Sequence, residues 1–318
     1  MSFLGIEEAY KRINNVVNQT PVLTSRTLNQ LVKANIFFKC ENFQRVGAFK
    51  FRGAFNAISL LSESQKKKGV ITHSSGNHAQ AVALAASILG IKATIVMPKG
   101  APVNKINATR NYGANIVFCE NTLESRTETA NDLIKQHKFI LIHPYDNDDI
   151  INGQGTAAFE LIKEIGNLDI VITPLGGGGL LSGTALAVKR LHSNTKVIGV
   201  EPLLADDALK SLKAGYIIPS SYPDTIADGL RTSLCERTFN IIRLHVDDII
   251  TVTEFEIIEA MKFLWERMKI IVEPSGAVPL AAILSKKVPV ENKRIGAILS
   301  GGNIDIEPFF QILEKKIV

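Results

Sequence analysis

The chain has 318 residues, 46% hydrophobic and 21% charged, with 36 Lys and Arg against 31 Asp and Glu for a formal net charge of +5. That composition is ordinary for a globular protein and excludes a disordered or collagenous chain, and the length accommodates one large or two medium domains. The charge excess is dispersed: its densest run is Lys66-Lys67-Lys68, and without a basic stripe or interleaved aromatic platforms nucleic acid is not an expected partner.

In chain order, Gly47-Ala48-Phe49-Lys50-Phe51-Arg52-Gly53-Ala54 starts an amphipathic helix with a lysine between two phenylalanines. Residues Gly69 to His73 read as a strand, Ser74-Ser75-Gly76-Asn77 as a turn, and His78 to Leu89 as a helix. Further strands are expected at Lys92–Met97, Asn115–Phe118 and Phe139–Ile142, with a helix from Glu124 to His137. The apolar run Leu168 to Leu175 contains the next strand, from Asp169 to Thr173. It delivers Gly176-Gly177-Gly178-Gly179 to a helix over Leu180–Val188. Strands at Lys196–Val200 and Arg294–Leu299 complete the set, the second leading into Ser300-Gly301-Gly302-Asn303. Alternation of this kind predicts an α/β architecture with largely parallel sheets. Breaks in character near residue 69 and at His143-Pro144 predict a smaller unit, 69–146, inserted between the two parts of a larger one, 1–68 and 147–318.

The strongest local signal is the glycine run. A strand that hands four glycines to a helix start lets backbone N–H groups converge on one anion, with the helix dipole behind them. Neither G-x-G-x-x-G nor a P-loop is present, so a phosphate is expected there but not a nucleotide as such; a flexible turn is the alternative. The Ser74–His78, Gly176–Gly179 and Ser300–Asn303 turns each follow an apolar strand. Ligands of open α/β sheets sit at carboxyl ends of strands, so these turns predict one small-molecule pocket. Lys50 is either an ordinary helix lysine or a desolvated amine suited to Schiff-base chemistry.

In Glu201-Pro-Leu-Leu-Ala205-Asp206-Asp207, two carboxylates and a carbonyl suit a hard divalent cation such as Mg²⁺ or Ca²⁺. The alternatives are a solvated acidic loop or a helix N-cap with Asp206 and Asp207 in the first turn. Cys40, Cys119 and Cys235 are far apart and without a C-x-x-C, so they read as free thiols of a reducing, cytoplasmic compartment. No run approaches a membrane span. His73, His137, His192 and His245 lack metal-ligand spacing, and Trp265 with Phe263 and Met268 fits a buried helix face.

The ordered set Gly-Ala-Phe-Lys-Phe-Arg-Gly-Ala, Ser-Ser-Gly-Asn-His-Ala-Gln, Gly-Gln-Gly-Thr at 153–156, Gly-Gly-Gly-Gly-Leu-Leu-Ser-Gly, Val-Glu-Pro-Ser-Gly-Ala at 272–277 and Ser-Gly-Gly-Asn resembles the pyridoxal-phosphate-dependent serine/threonine dehydratase family. Within it the chain is most similar to the eukaryote-type serine racemases, over nearly its whole length from Ile6 to Asp305. The resemblance implies a two-domain fold type II enzyme, tryptophan synthase β-like, with open twisted, mostly parallel sheets flanked by helices. It implies pyridoxal 5′-phosphate on Lys50, its phosphate on Gly176, Gly177, Gly178, Gly179 and Leu180, its ring beside Phe49, its 3-oxygen on Asn77 and its pyridine nitrogen facing Ser300. A hydroxyl at that nitrogen makes a weaker electron sink than a carboxylate would, which favours β-elimination.

By the same resemblance Lys50 and Ser75 are the two proton-transferring residues, one on each face of the cofactor, as two-base racemisation requires. Ser74, Ser75, Gly76, Asn77 and His78 would hold the substrate carboxylate; Arg126 either meets an acidic substrate such as 3-hydroxyaspartate or forms a salt bridge on the helix surface. Glu201, the Ala205 carbonyl and Asp207 would hold the divalent cation. Ser25, Arg26, Thr27, Arg45, Val46 and Asn303 match an ATP effector site, where Arg26 departs from the small hydroxyl residue usual in animal racemases. Tyr145 replaces an amide residue near the cofactor. The expected activity is racemisation and dehydration of L-serine, with L-threonine as a further substrate, in a cytoplasmic homodimer. A threo-3-hydroxyaspartate dehydratase is the alternative enzyme, and a non-catalytic amino-acid-binding protein is the alternative from another class.

Overall fold

The computed structural model describes residues 4–101, 103–220, 223–305, 307 and 309–311. Among the described residues, ten strands form two sheets. In chain order they are β1 (Val22–Leu23), β2 (Asn35–Cys40), β3 (Val70–His73), β4 (Ala93–Pro98), β5 (Asn115–Cys119), β6 (Ile140–Leu141), β7 (Ile170–Pro174), β8 (Lys196–Pro202), β9 (Asp248–Val252) and β10 (Arg294–Leu299). The larger sheet has the order β1-β2-β10-β7-β8-β9, the smaller one β5-β4-β3-β6. Every pairing is parallel except β1 with β2. The fold is the α/β arrangement of mostly parallel sheets flanked by helices that the sequence predicts.

Side chains alternate across a strand, and the larger sheet uses both faces. Ile170 and Ile172 of β7 enter one apolar core with Ile36, Phe38, Val278 and Leu280. Val171, between them, enters another with Leu181, Ala185, Phe159 and Leu161. Strands buried on both faces read as continuous apolar runs, which is why β7 and β10 are legible from sequence. β1, β2 and β9 lie outside the strands expected from the sequence. β1 has only two residues, β2 has its apolar run interrupted by Lys39, which is fully buried, and β9 is a short run, Ile249 to Val252, that follows exposed Asp248. The smaller sheet packs β3 and β4 residues Val70, Ala93, Ile95 and Met97 against Ala79, Val82 and Ala86 of the helix Asn77–Ile88. Trp265, Phe263 and Met268 are partly buried against the first core, as expected, although Leu264–Met268 is a π-helical turn.

Candidate active site

Carboxyl ends of strands from both sheets carry the groups singled out above. The helix Lys50–Ser59 has no side-chain cap at Phe49. Its start is fixed instead by backbone: Phe49 N–H donates to the Ser300 carbonyl at 3.0 Å, and Ala48 bridges Gly301 just beyond β10. Two residues into the helix, Arg52 is fully buried and forms a clamp. Its Nε and Nη2 donate to Glu41, at 2.7 and 2.9 Å, and its Nη1 and Nη2 to Glu160, at 2.7 and 2.8 Å. Lys39 Nζ reaches Glu160 at 2.8 Å, completing two positive and two negative charges. Burial opposes ionisation of Glu160, but Arg52 and Lys39 prevail and hold its carboxyl below the usual range.

Lys50 itself is half-buried. Its Nζ donates to the Pro144 carbonyl at 3.1 Å and lies 5.1 Å from the centre of the Phe49 ring. Desolvation brings its pKa down to about 8, with Glu273 opposing the shift. The amine is therefore far closer to neutral at physiological pH than an ordinary lysine, as nucleophilic attack on an aldehyde demands.

The glycine loop follows β7. Gly178, at φ 86°, ends the turn and caps the helix Gly179–Leu191, a backbone state that residues with a Cβ avoid. A Cβ on Gly177 would stand 2.4 Å from the Tyr145 ring, so only glycine keeps that approach open. Backbone N–H groups at the start of a 13-residue helix, beside Leu180, suit an anion. The loop, the Lys50 amine and buried Ser300 have the chemistry that pyridoxal phosphate requires.

β3 delivers Ser74, Ser75 and Gly76 to the helix that begins at Asn77, all half-buried. Ser74 Oγ accepts from Gly76 N–H at 3.3 Å. Asn77 is tied into the larger sheet's side: its Nδ2 donates to Glu273 Oε1 at 2.8 Å, and its Oδ1 accepts from Asn303 Nδ2 at 2.9 Å. Asn303 N–H donates to Glu273 Oε2 at 3.1 Å. Burial pushes the Glu273 carboxyl up to about 8, Asp228 adding to the shift and Lys105 opposing it. His78 is buried, its Nε2 lies 2.9 Å from the Ile142 carbonyl, and burial beside Lys50 takes its pKa down to about 3. Arg126 is half-buried on the helix Leu123–His137 and makes no side-chain hydrogen bond or ion pair among the described residues. Burial and then the Arg126 charge depress His73.

The pyridoxal-phosphate dependent enzyme family matches residues 13–301. The chain belongs to this family. It is 51% identical over 310 residues to the L-threo-3-hydroxyaspartate ammonia-lyase of Saccharomyces cerevisiae, covering 97% of this chain and 95% of that protein. The crystal structure of serine racemase from Dictyostelium discoideum shares 50% identity and a TM-score of 0.92, over 96% of this chain and 99% of that one. The structure of maize serine racemase shares 43% identity with a TM-score of 0.94, over 99% of this chain and 98% of that one. The protein is thus a fold type II enzyme that uses pyridoxal phosphate, of the ammonia-lyase and racemase kind.

The remaining expected residues fall in other places. Glu201 is buried at the end of β8, and its carboxylate accepts from Leu209 N–H at 2.8 Å and Ala208 N–H at 3.3 Å. It thereby caps the helix Asp207–Ala214, while Asp206 at the cap position makes no side-chain capping bond. Burial, with Asp207 adding to it, pushes Glu201 up to about 8, and burial raises Asp207 to about 6. Ala205 is buried in the short turn before them. Ser25 caps the helix Arg26–Val32 by accepting from Leu28 N–H at 3.3 Å, and Arg26 and Thr27 are exposed. Val46 and Asn303 are joined, Asn303 Nδ2 donating to the Val46 carbonyl at 2.6 Å, and Arg45 is exposed. No hydrogen bond or ion pair links the Ser25 group to the Arg45 group among the described residues. Two participants had no sequence signal as site residues: the Pro144 carbonyl on Lys50, and the Lys105–Asp228 ion pair at 2.9 Å between the helix Val103–Asn111 and the Asp228–Leu230 turn. Glu273 sits within a quoted motif, with nothing local to assign it the task of bridging Asn77 and Asn303.

Proposed function

We propose that this chain interconverts L- and D-serine and eliminates water from L-serine and L-threonine, giving a 2-oxo acid and ammonia. The observation that carries the reading is the desolvated Lys50 amine held on the Pro144 carbonyl, whose neighbour Tyr145 packs on the glycine loop. Pyridoxal phosphate, when bound, withdraws electrons from the Cα of an amino acid joined to it through nitrogen. Gly176 to Gly179 and Leu180 would hold its phosphate, Phe49 would flank its ring, Asn77 would face its 3-oxygen and Ser300 its ring nitrogen. Ser74 to His78 orient the substrate carboxylate. Lys50 accepts the Cα proton; loss of the β-hydroxyl as water leaves an enamine that hydrolyses to the 2-oxo acid and ammonia. Ser75 instead returns a proton to the opposite side of Cα, which yields D-serine.

The smaller-sheet unit, residues 69–146, carries the Ser75 turn and closes over substrate against the larger unit. Glu201, the Ala205 carbonyl and Asp207 take a divalent cation: two buried carboxylates raised by desolvation are the charge such an ion would offset. A cytoplasmic homodimer with ATP bound at Ser25, Arg26, Thr27, Arg45, Val46 and Asn303 completes the reading, supported by resemblance to the serine racemases.

Arg126 favours a second substrate, threo-3-hydroxyaspartate: a half-buried guanidinium near His73 and the Ser74 turn suits a β-carboxylate. One experiment separates the cases. The cofactor-loaded protein is incubated with L-serine and with threo-3-hydroxyaspartate, and D-serine, pyruvate and oxaloacetate are measured. D-Serine that vanishes in Ser75→Ala while pyruvate persists is expected. Oxaloacetate alone, lost in Arg126→Ala, would replace the first reading by the second, and no product from either substrate would end both.

A further inference from the structure

The segment that joins β6 to the helix Asp148–Ile165 contains groups the proposed reaction leaves unused. His143 Nδ1 accepts from Asp146 N–H at 2.8 Å and from Tyr145 N–H at 3.3 Å. A ring nitrogen that accepts carries no proton, so the imidazole here is neutral with its proton on Nε2. Side-chain acceptors that bond the backbone two and three residues ahead shape turns, as Asn and Asp commonly do. This turn has two products. Pro144, enclosed within it, points its carbonyl at Lys50 Nζ, and Tyr145 lies against the glycine loop, its ring 2.4 Å from where a Gly177 Cβ would be. The same imidazole packs edge-on against Tyr145, with ring centres 4.8 Å apart, and against His73 at 6.3 Å. Arg237 Nε holds the Asp146 carboxylate at 2.8 Å from the other side.

We propose that His143 is a positioning residue: its Nδ1 builds the turn that aims the Pro144 carbonyl at the Lys50 amine and seats Tyr145 on the glycine loop. The proposal rests on Lys50 being the amine that holds the cofactor. Removing the acceptor strands two backbone N–H groups and frees the Pro144 peptide to rotate, which displaces the carbonyl that the amine bonds. Acceptor and ring are separable. His143→Asn keeps an acceptor near the Nδ1 position and discards the ring; His143→Phe keeps the ring and its edge contacts and discards the acceptor.

The test measures three properties of both variants, the wild type and Lys50→Ala: thermal midpoint, affinity for pyridoxal 5′-phosphate from the visible absorbance of the lysine-bound cofactor with its pH midpoint, and kcat and KM for L-serine. We expect His143→Asn to stay close to wild type. His143→Phe should still fold, with a thermal midpoint lowered by the two stranded N–H groups, lose about 100-fold in kcat at little-changed KM, bind the cofactor more weakly and shift the pH midpoint of the band. Rescue by Phe and not Asn, or equal losses in both, would show that packing alone matters and overturn the proposal. A wild-type protein lacking any visible band that Lys50→Ala removes would overturn the Lys50 reading as well, so the two failures are told apart.

Discussion

Glu160 and Glu273 are both buried carboxyls beside the larger sheet, and their surroundings drive them in opposite directions. Glu160 meets Arg52 through two donors and Lys39 through a third, and is held ionised. Glu273 meets Asn77 Nδ2 and the Asn303 N–H, faces Asp228 and Lys105, and is pushed up to about 8. The first belongs to a charge-balanced clamp that fixes the helix bearing Lys50. The second leaves a titratable group in contact with Asn77, at the start of the helix that follows β3. A buried carboxyl thus serves as scaffold when a guanidinium spans it, and as a responsive group when only amides do.

The clamp is where substitution should cost most. Arg52→Met leaves Glu41 and Glu160 facing one lysine, and stripping one partner from a buried ionic group costs about 3–5 kcal/mol. Urea unfolding of the apoprotein at pH 7 measures it. A loss below about 1 kcal/mol, the scale of an exposed pair, would break the comparison, because the clamp would then be no scaffold.

Glu273→Gln should cost less and change sign with pH. A carboxyl whose pKa is raised in the folded state contributes stability that is complete below its ordinary value and is lost as pH rises through about 8. At pH 6 the wild-type group is neutral, and Gln loses only one acceptor, a penalty of about 1 kcal/mol. At pH 9 the wild type carries a buried anion facing Asp228, relieved only by Lys105, while Gln carries none. The variant should therefore be the less stable protein at pH 6 and equal or more stable at pH 9. Taking the difference between the two proteins cancels Glu201, which is raised in the same range. A difference that stays constant from pH 6 to 9 would mean that Glu273 does not titrate in this window.

Most of the glycine-loop side of the candidate site is legible in the sequence because it is local. A glycine run between an apolar strand and an amphipathic helix spells out its own geometry in adjacent residues, and Lys50 stands inside one octapeptide. The Glu273 side is illegible for the opposite reason. Its bonds join residues 196 and 226 positions apart, and the Lys105–Asp228 pair spans 123, so no spacing rule reaches them. His143 reads only as the start of a boundary, because a ring nitrogen that caps a turn looks in sequence like any histidine before a proline. β2 escapes the sequence pattern where Lys39 interrupts its apolar run, and β9 because its run after Asp248 is short and set by pairing with β8, cases of tertiary pairing overriding local pattern. At Glu201–Asp207 the helix-start reading is seen in the structure, but with Glu201 as the capping group in place of Asp206.

That acidic loop offers the most discriminating test, because it decides on which side of the comparison Glu201 falls. As a helix cap alone it resembles Glu273: a buried carboxyl satisfied by amide N–H groups and raised by desolvation. With a divalent cation between Glu201, the Ala205 carbonyl and Asp207 it would instead resemble Glu160, a carboxylate whose charge is met. A ligand present at 100 times its Kd stabilises the folded state by about 2.7 kcal/mol, a shift readily seen in thermal melts. Mg²⁺ or Ca²⁺ should raise the thermal midpoint of the wild type and of Asp206→Asn, whose carboxylate is engaged with Lys210 at 2.7 Å. Asp207→Asn should abolish the rise, since it removes one of the two ligand charges while leaving Glu201 on its amides. An equal rise in all three proteins, or none in any, would leave the loop as a helix start and place Glu201 beside Glu273.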